Sequence, residues 1–166
     1  KVYSLHTVHT ATAGWNMEPT GYRAVTTENG VHSEVEYIYH NEDLYVERMK
    51  VSDKIPEGSY HLFHREPYSQ DIINSIYVAR NVDLTQNDGK DIPFYPLYDD
   101  KVFPVYGTVL GREKIKTREG DSYDCIKCMT IPPEGTLFDA KEPVYIWISD
   151  DEREIPVLVE AKIMIG

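Results

Sequence analysis

The chain predicts a mainly β fold: an antiparallel meander curled toward a barrel or half-barrel, with one amphipathic helix near residues 69–82. Three observations carry this. Short stretches alternate apolar and polar residues with a period of two, as strands with one buried face require. Turn residues punctuate them at regular intervals, as in Glu28-Asn29-Gly30 and Ile55-Pro56-Glu57-Gly58. Only one stretch, Ser69 to Val82, repeats its apolar residues at helical spacing.

In order, Lys1 to Ala13 is rich in Thr and Val and reads as a strand that Gly14 stops. Tyr22 to Thr27 is a short second strand. Asn29-Gly30 favours positive φ at both central turn positions. Val31 to Tyr39 then places Val35, Tyr37 and Tyr39 on one face and Glu34 and Glu36 on the other. His40 to Asp43 reverses the chain, and Leu44 to Val51 returns antiparallel. Ile55 to Gly58 reads as a turn, and Tyr60 to Pro67 carries no clear signal. In the helix, Ile72, Ile73, Ile76 and Tyr77 recur on one side with the stem of Arg80, and Ser69 is the expected N-cap.

Thr85 to Lys90 is a polar loop. Ile92 to Tyr98 and Val102 to Leu110 form a hairpin across Asp99-Asp100-Lys101. Pro93, Pro96 and Pro104 cannot donate to a ladder, so this region includes an edge or bulged strand. Gly111 marks a bend, Glu113 to Thr117 continues, and Tyr123 to Thr130 returns, followed by Leu137 to Asp139. The last hairpin is the best defined. Val144, Ile146 and Ile148 share one face and Tyr145 and Trp147 the other; Ile155, Val157, Val159, Ala161, Ile163 and Ile165 line a face of its return strand. About nine strands result, in one domain spanning 1–166.

Composition bounds the function. Of 166 residues, 41% are hydrophobic and 27% charged, and 13 are Tyr, which suits half-wet strands. A net charge of −11 argues against nucleic acid and anionic membranes as partners. No apolar run reaches the length of about 18 residues that a transmembrane helix needs.

Chemical motifs are absent. Cys125 and Cys128 have C-x-x-C spacing, but they lie in an extended segment, and residues three apart on a strand point to opposite faces. They read as small packed hydrophobes. His61 and His64, with Glu66, would converge on a metal only if that segment were helical. Asp150, Asp151, Glu152 and Glu154 lack the alternating-oxygen spacing of a calcium loop and read as a solvated turn. No nucleophile elbow, phosphate loop or dinucleotide fingerprint occurs. The expectation is therefore a noncatalytic protein with no cofactor, no metal site and no catalytic residue. Aromatic residues on a concave sheet could stack on a sugar or enclose an apolar ligand, with Tyr37, Tyr39, Tyr77, Arg80, Tyr145 and Trp147 as candidates.

The stretch from Asp71 to Gly166 resembles a bacterial envelope family known as domain of unknown function 3108. Three segments carry the resemblance: Asp71-Ile72-Ile73-Asn74-Ser75-Ile76-Tyr77-Val78-Ala79-Arg80; Gly107 to Tyr123 with Gly111-Arg112-Glu113; and Trp147-Ile148-Ser149-Asp150-Asp151 with Arg153, Pro156-Val157 and Lys162 to Gly166. The first 70 residues match loosely. The resemblance implies a periplasmic or secreted β-rich protein, of which this chain is a partial view, and it brings no activity. The leading expectation is a hydrophobic or glycan ligand, such as a lipid, held in a curled sheet. The alternatives are an interaction or assembly module that pairs its Pro-broken edges with another envelope protein, and a hydrolase of envelope polymers.

Overall fold

The computed structural model describes residues 3–84, 89, 91–134 and 140–162. The sequence-predicted strand at Leu137 to Asp139, most of the 85–90 loop and the closing Ile163 to Gly166 lie outside the described residues. The fold is mainly β, antiparallel, with one short helix. The chain divides into two compact units: Lys1–Val78 with Tyr95–Val102, and Ala79–Phe94 with Phe103–Gly166.

The first unit is built on a meander of β1 (Leu5–Ala13), β2 (Pro19–Glu28), β3 (Val31–His40), β4 (Tyr45–Ser52) and β5 (Ile55–His64), paired in sequence order. Asn29 and Gly30 both take positive φ (49° and 83°) in the β2–β3 turn, as their sequence predicts. Ile55 to Gly58, expected to be a turn, instead opens β5, and the segment from Tyr60 completes it. Gly58 at φ 76° accommodates a register shift opposite Lys50 and Ser52. Pro56 is tolerated because, among the described residues, β5 pairs only with β4.

The expected helix over 69–82 is shorter, α1 (Ile72–Ala79), because its cap is Asp71 rather than Ser69. The Asp71 carboxylate accepts the backbone N–H groups of Ile73 (3.0 Å) and Asn74 (2.9 Å). Ser69 turns its hydroxyl to the Glu66 carbonyl (2.7 Å), and Gln70–Asp71 forms a two-residue strand, β6. This strand runs parallel to β8 (Pro96–Tyr98), an exception to the antiparallel rule, and β8 pairs with β9 (Lys101–Val102). Tyr37, Tyr39, Val46 and Leu97 form the buried core, with Tyr22, Val35, Phe63 and Val102 packed against it.

The second unit holds the sheet β13 (Pro156–Glu160), β12 (Val144–Ser149), β11 (Ser122–Thr130), β10 (Val105–Lys116) and β7 (Asp91–Phe94). β10 is one strand rather than two, since Gly111 at φ 143° carries a bulge against β11 instead of a break. The core is aliphatic: Leu84, Ile92, Val109, Ile126 and Ile148, with Val82, Phe94, Cys128 and Ile146 around it. β12 is buried on both faces rather than one, since Trp147 on one face is covered as fully as Ile148 on the other. On β13 the expected face is only half-buried among the described residues: Ile155, Val157 and Ala161 are partly covered and Val159 is exposed, as befits a short edge strand.

Neither five-stranded sheet closes. Among the described residues β1 and β5 are the edges of one, and β13 and β7 of the other, so the expected curl toward a barrel stops at open sheets. Pro93 does lie on an edge strand, β7.

Candidate functional site

The register of the first sheet sorts its side chains onto two faces. The row Tyr22–Tyr37–Arg48–His61 and the row Tyr39–Val46–Phe63 lie on the inner face. Burial raises the hydroxyl pKa of Tyr22, Tyr37 and Tyr39 well above the ordinary tyrosine range. Arg65 is buried beside them, with its guanidinium 5.9 Å from the Tyr39 ring centre. It donates to Asn41 Oδ1 (2.8 Å) and to the carbonyls of Glu66, Pro67 and Ser69, so it pins the loop that leads into α1. Asp71 is 1% exposed and receives Asn74 Nδ2 at 2.6 Å.

Asp100 binds the rim of this face. Its carboxylate meets Arg48 Nη1 at 3.1 Å and His61 Nδ1 at 2.8 Å, and accepts the Tyr37 hydroxyl at 3.4 Å. Asp99 and Asp100 both take positive φ (47° and 63°) between β8 and β9, a conformation that short polar side chains tolerate. The network fixes the β8–β9 turn to β4 and β5. His61 and His64 are both on β5, three residues apart, and diverge: His64 stacks on Tyr45 at 3.8 Å between ring centres.

The outer face of the same sheet is different. Ile38 and Leu62 share one row with Glu47; Met49 and Tyr60 share the next with Arg23 and Glu36; Val8 and Val51 share a third with Glu34. All six apolar side chains are exposed, Tyr60 to 60% and Leu62 to 48%. A solvated face of an antiparallel sheet is ordinarily polar, and these apolar side chains, interleaved with glutamates, depart from that pattern. Arg23 meets Glu34 at 2.6 Å and His40 meets Glu47 at 2.7 Å, so carboxylates outnumber the one fixed cation among these rows.

In the second unit, Lys127 Nζ sits 5.0 Å from the Tyr145 ring centre and 4.7 Å from that of Trp147. Glu113 accepts both Lys127 Nζ and Trp147 Nε1 at 3.0 Å. Hydrogen bonds from Trp147 and then Lys127 hold its carboxyl below the usual range. This closed polar clasp uses up the indole N–H. The acidic turn is likewise engaged. Asp151 accepts Arg153 Nη2 (2.6 Å) and the Ser149 hydroxyl (2.9 Å), which lowers its pKa to about 2, and Asp150 meets Arg112 at 2.9 Å. Cys125 is buried and Cys128 packs in the aliphatic core, with burial raising its thiol to about 11. Both are free thiols.

The six residues singled out from sequence fall in separate places. Tyr37 and Tyr39 are core residues of the first unit, and Tyr77 is an exposed helical residue. Arg80 donates to the Arg153 carbonyl in the second unit, where Trp147 is 3% exposed and Tyr145 lies 6.1 Å from it. The outer face was missed. Its signal is a phase: Ile38 falls in step with Glu34 and Glu36, and Met49 and Val51 fall in step with Glu47.

No curated protein and no solved structure matches the chain. The family described as "Protein of unknown function (DUF3108)" matches residues 2–166, which extends the resemblance from the last hundred residues to essentially the whole length. The chain belongs to the DUF3108 family.

Proposed function

We propose that this protein is a noncatalytic interaction module of the cell envelope, and that it binds another protein through the outer face of its first sheet. The observation behind this reading is the run of six exposed apolar side chains on that face: Val8, Ile38, Met49, Val51, Tyr60 and Leu62. The ligand-enclosing alternative loses its geometric support, because neither sheet closes and Tyr37, Tyr39 and Trp147 are packed. The envelope address is supported by the family resemblance alone.

Site-specific photocrosslinking tests the reading. A photoreactive phenylalanine is placed at Tyr60, or at Tyr106, an exposed tyrosine of the second sheet. In native envelopes the first is expected to give a discrete protein adduct that Met49→Lys removes. No adduct at position 60, or an equal one at position 106, would overturn the proposal. An adduct with the mass of a lipid or glycan would restore the ligand reading.

A further inference from the structure

Resting on that reading, we infer that the partner joins the first sheet as an added β-strand along β5, and that it is a segment carrying apolar residues flanked by basic ones on one face.

The backbone argument starts from the edges. An edge strand exposes a row of unpaired N–H and C=O groups, and proteins blunt such rows with short strands, charges, proline or bulges. β5 is ten residues long and pairs only with β4 among the described residues. Its first half is guarded by Pro56, Glu57 and the register shift near Gly58. Its second half, Ser59-Tyr60-His61-Leu62-Phe63-His64, has no proline and no fixed charge. Six residues of open ladder suffice for a short strand to add.

Side chains select β5 over β1. β1 is also long and lacks Lys, Arg, Asp and Glu, but it offers only Val8 among the exposed large apolar residues. β5 offers Tyr60 and Leu62, with Met49 directly opposite Tyr60 on β4 and Ile38 one strand further along the Leu62 row. Apolar residues on an added strand would continue those rows as cross-strand neighbours.

Charge selects the partner. Glu34, Glu36 and Glu47 lie among the apolar rows against one Arg23. Lys or Arg at the ends of the added strand's apolar face would reach toward Glu47, which stands two strands away in the Leu62 row, whereas Glu36 is a strand further. A second copy is disfavoured by overall repulsion, since each chain carries −11. An acyl chain is a poorer fit, since an open sheet face cannot enclose it.

The probe is the peptide Ac-Arg-Thr-Val-Thr-Ile-Thr-Val-Thr-Arg-NH2, which presents Arg, Val, Ile, Val and Arg on one face. A second peptide has the same side chains but is N-methylated at alternate backbone nitrogens on the edge that would face β5. Both are titrated into the full isotope-labelled chain. The first is expected to slow exchange of alternate amides from Ser59 to His64, to weaken in Glu47→Lys, and to bind at least about tenfold more tightly than its methylated twin. Equal binding by both peptides, with shifts at Met49 and Leu62 but no amide protection, would overturn strand addition and leave face docking intact. Protection along β1, concentration-dependent dimerisation that blocks the peptide, or no binding at millimolar peptide would also overturn it. The crosslink at position 60 judges the broader reading separately.

Discussion

The two sheets are built from the same period-two alternation and use it in opposite ways. The second sheet buries Leu84, Ile92, Val109, Ile126 and Ile148, and its edges are short: β7 has four residues with Pro93, and β13 has five beginning at Pro156. The first sheet buries tyrosines beside Asp71, Arg65 and Asn74, exposes aliphatic residues outside, and leaves edges of nine and ten residues. Apolar burial is what stabilises a sheet, and paired, shortened or charged edges keep it solitary. The second sheet meets both conditions. The first spends part of its apolar inventory on its surface and holds its inner face together with hydrogen bonds. That division separates a sheet that is sealed from one that leaves apolar surface and long edges open.

The largest expected effect tests the scaffold half of this contrast. Ile126 is 4% exposed at the centre of the aliphatic cluster. Ile126→Ala removes methylene groups from a close-packed site and is expected to cost about 3 kcal/mol. Urea unfolding of the two proteins measures it. A loss below about 1 kcal/mol would mean that the cluster relaxes freely, and the contrast between the cores would fail.

The next effect is a difference in sign with pH. Burial raises the pKa of Asp71 above its ordinary 3.8, although bonds from Asn74 and Ile73 oppose the shift. The folded protein therefore holds that proton more readily than the unfolded one, and acidification through the folded pKa toward 3.8 favours the native state. Asp151 is the reverse. Its pKa is lowered to about 2 by Arg153 and Ser149, so its contribution is present above 3.8 and lost as pH falls through about 2. The stability difference between wild type and Asp71→Asn is expected to rise as pH falls, and that for Asp151→Asn to shrink. Asn keeps the cap in the first variant but loses the bond from Asn74 Nδ2, a pH-independent offset, so the charge is read from the slope alone. Unfolding curves over an acid pH series read both slopes. Parallel slopes would remove the distinction between the buried carboxylate of one unit and the solvated carboxylate of the other.

The ease with which sequence revealed these features follows the same division. Alternation in Val31–His40 and the Asn29-Gly30 turn are local, and each residue there has one dominant preference. The β5 strand was hidden because Pro56 and Gly58 are turn residues everywhere except on a bulged edge, and edge status depends on which strand pairs with which. The helix cap was misplaced for a related reason. Ser69 and Asp71 are both good caps, and the choice was made by β6 pairing with β8, some 25 residues on in the chain. Asp99-Asp100 gave no sign that the Asp100 carboxylate would reach His61, 39 residues earlier, and Arg48, earlier still. The outer face was legible in principle, since Ile38 sits in the glutamate phase. A lone apolar residue in a polar phase carries meaning only when its neighbours on other strands are known.

The smallest expected effect probes the polar core itself. Tyr39 is 6% exposed, and its hydroxyl has no hydrogen-bond partner among the described residues. A buried hydroxyl without a partner loses its hydration and gains nothing in return. Tyr39→Phe keeps the ring under Arg65 and against Val46 while removing that cost. Stability is expected to stay level or rise by up to about 1 kcal/mol, measured by urea unfolding. Most buried Tyr→Phe changes remove a made bond and weaken the protein. A loss of about 1 kcal/mol here would show that an internal water satisfies Tyr39, and the first core would then be polar by a completed network rather than by tolerance of an unmet donor.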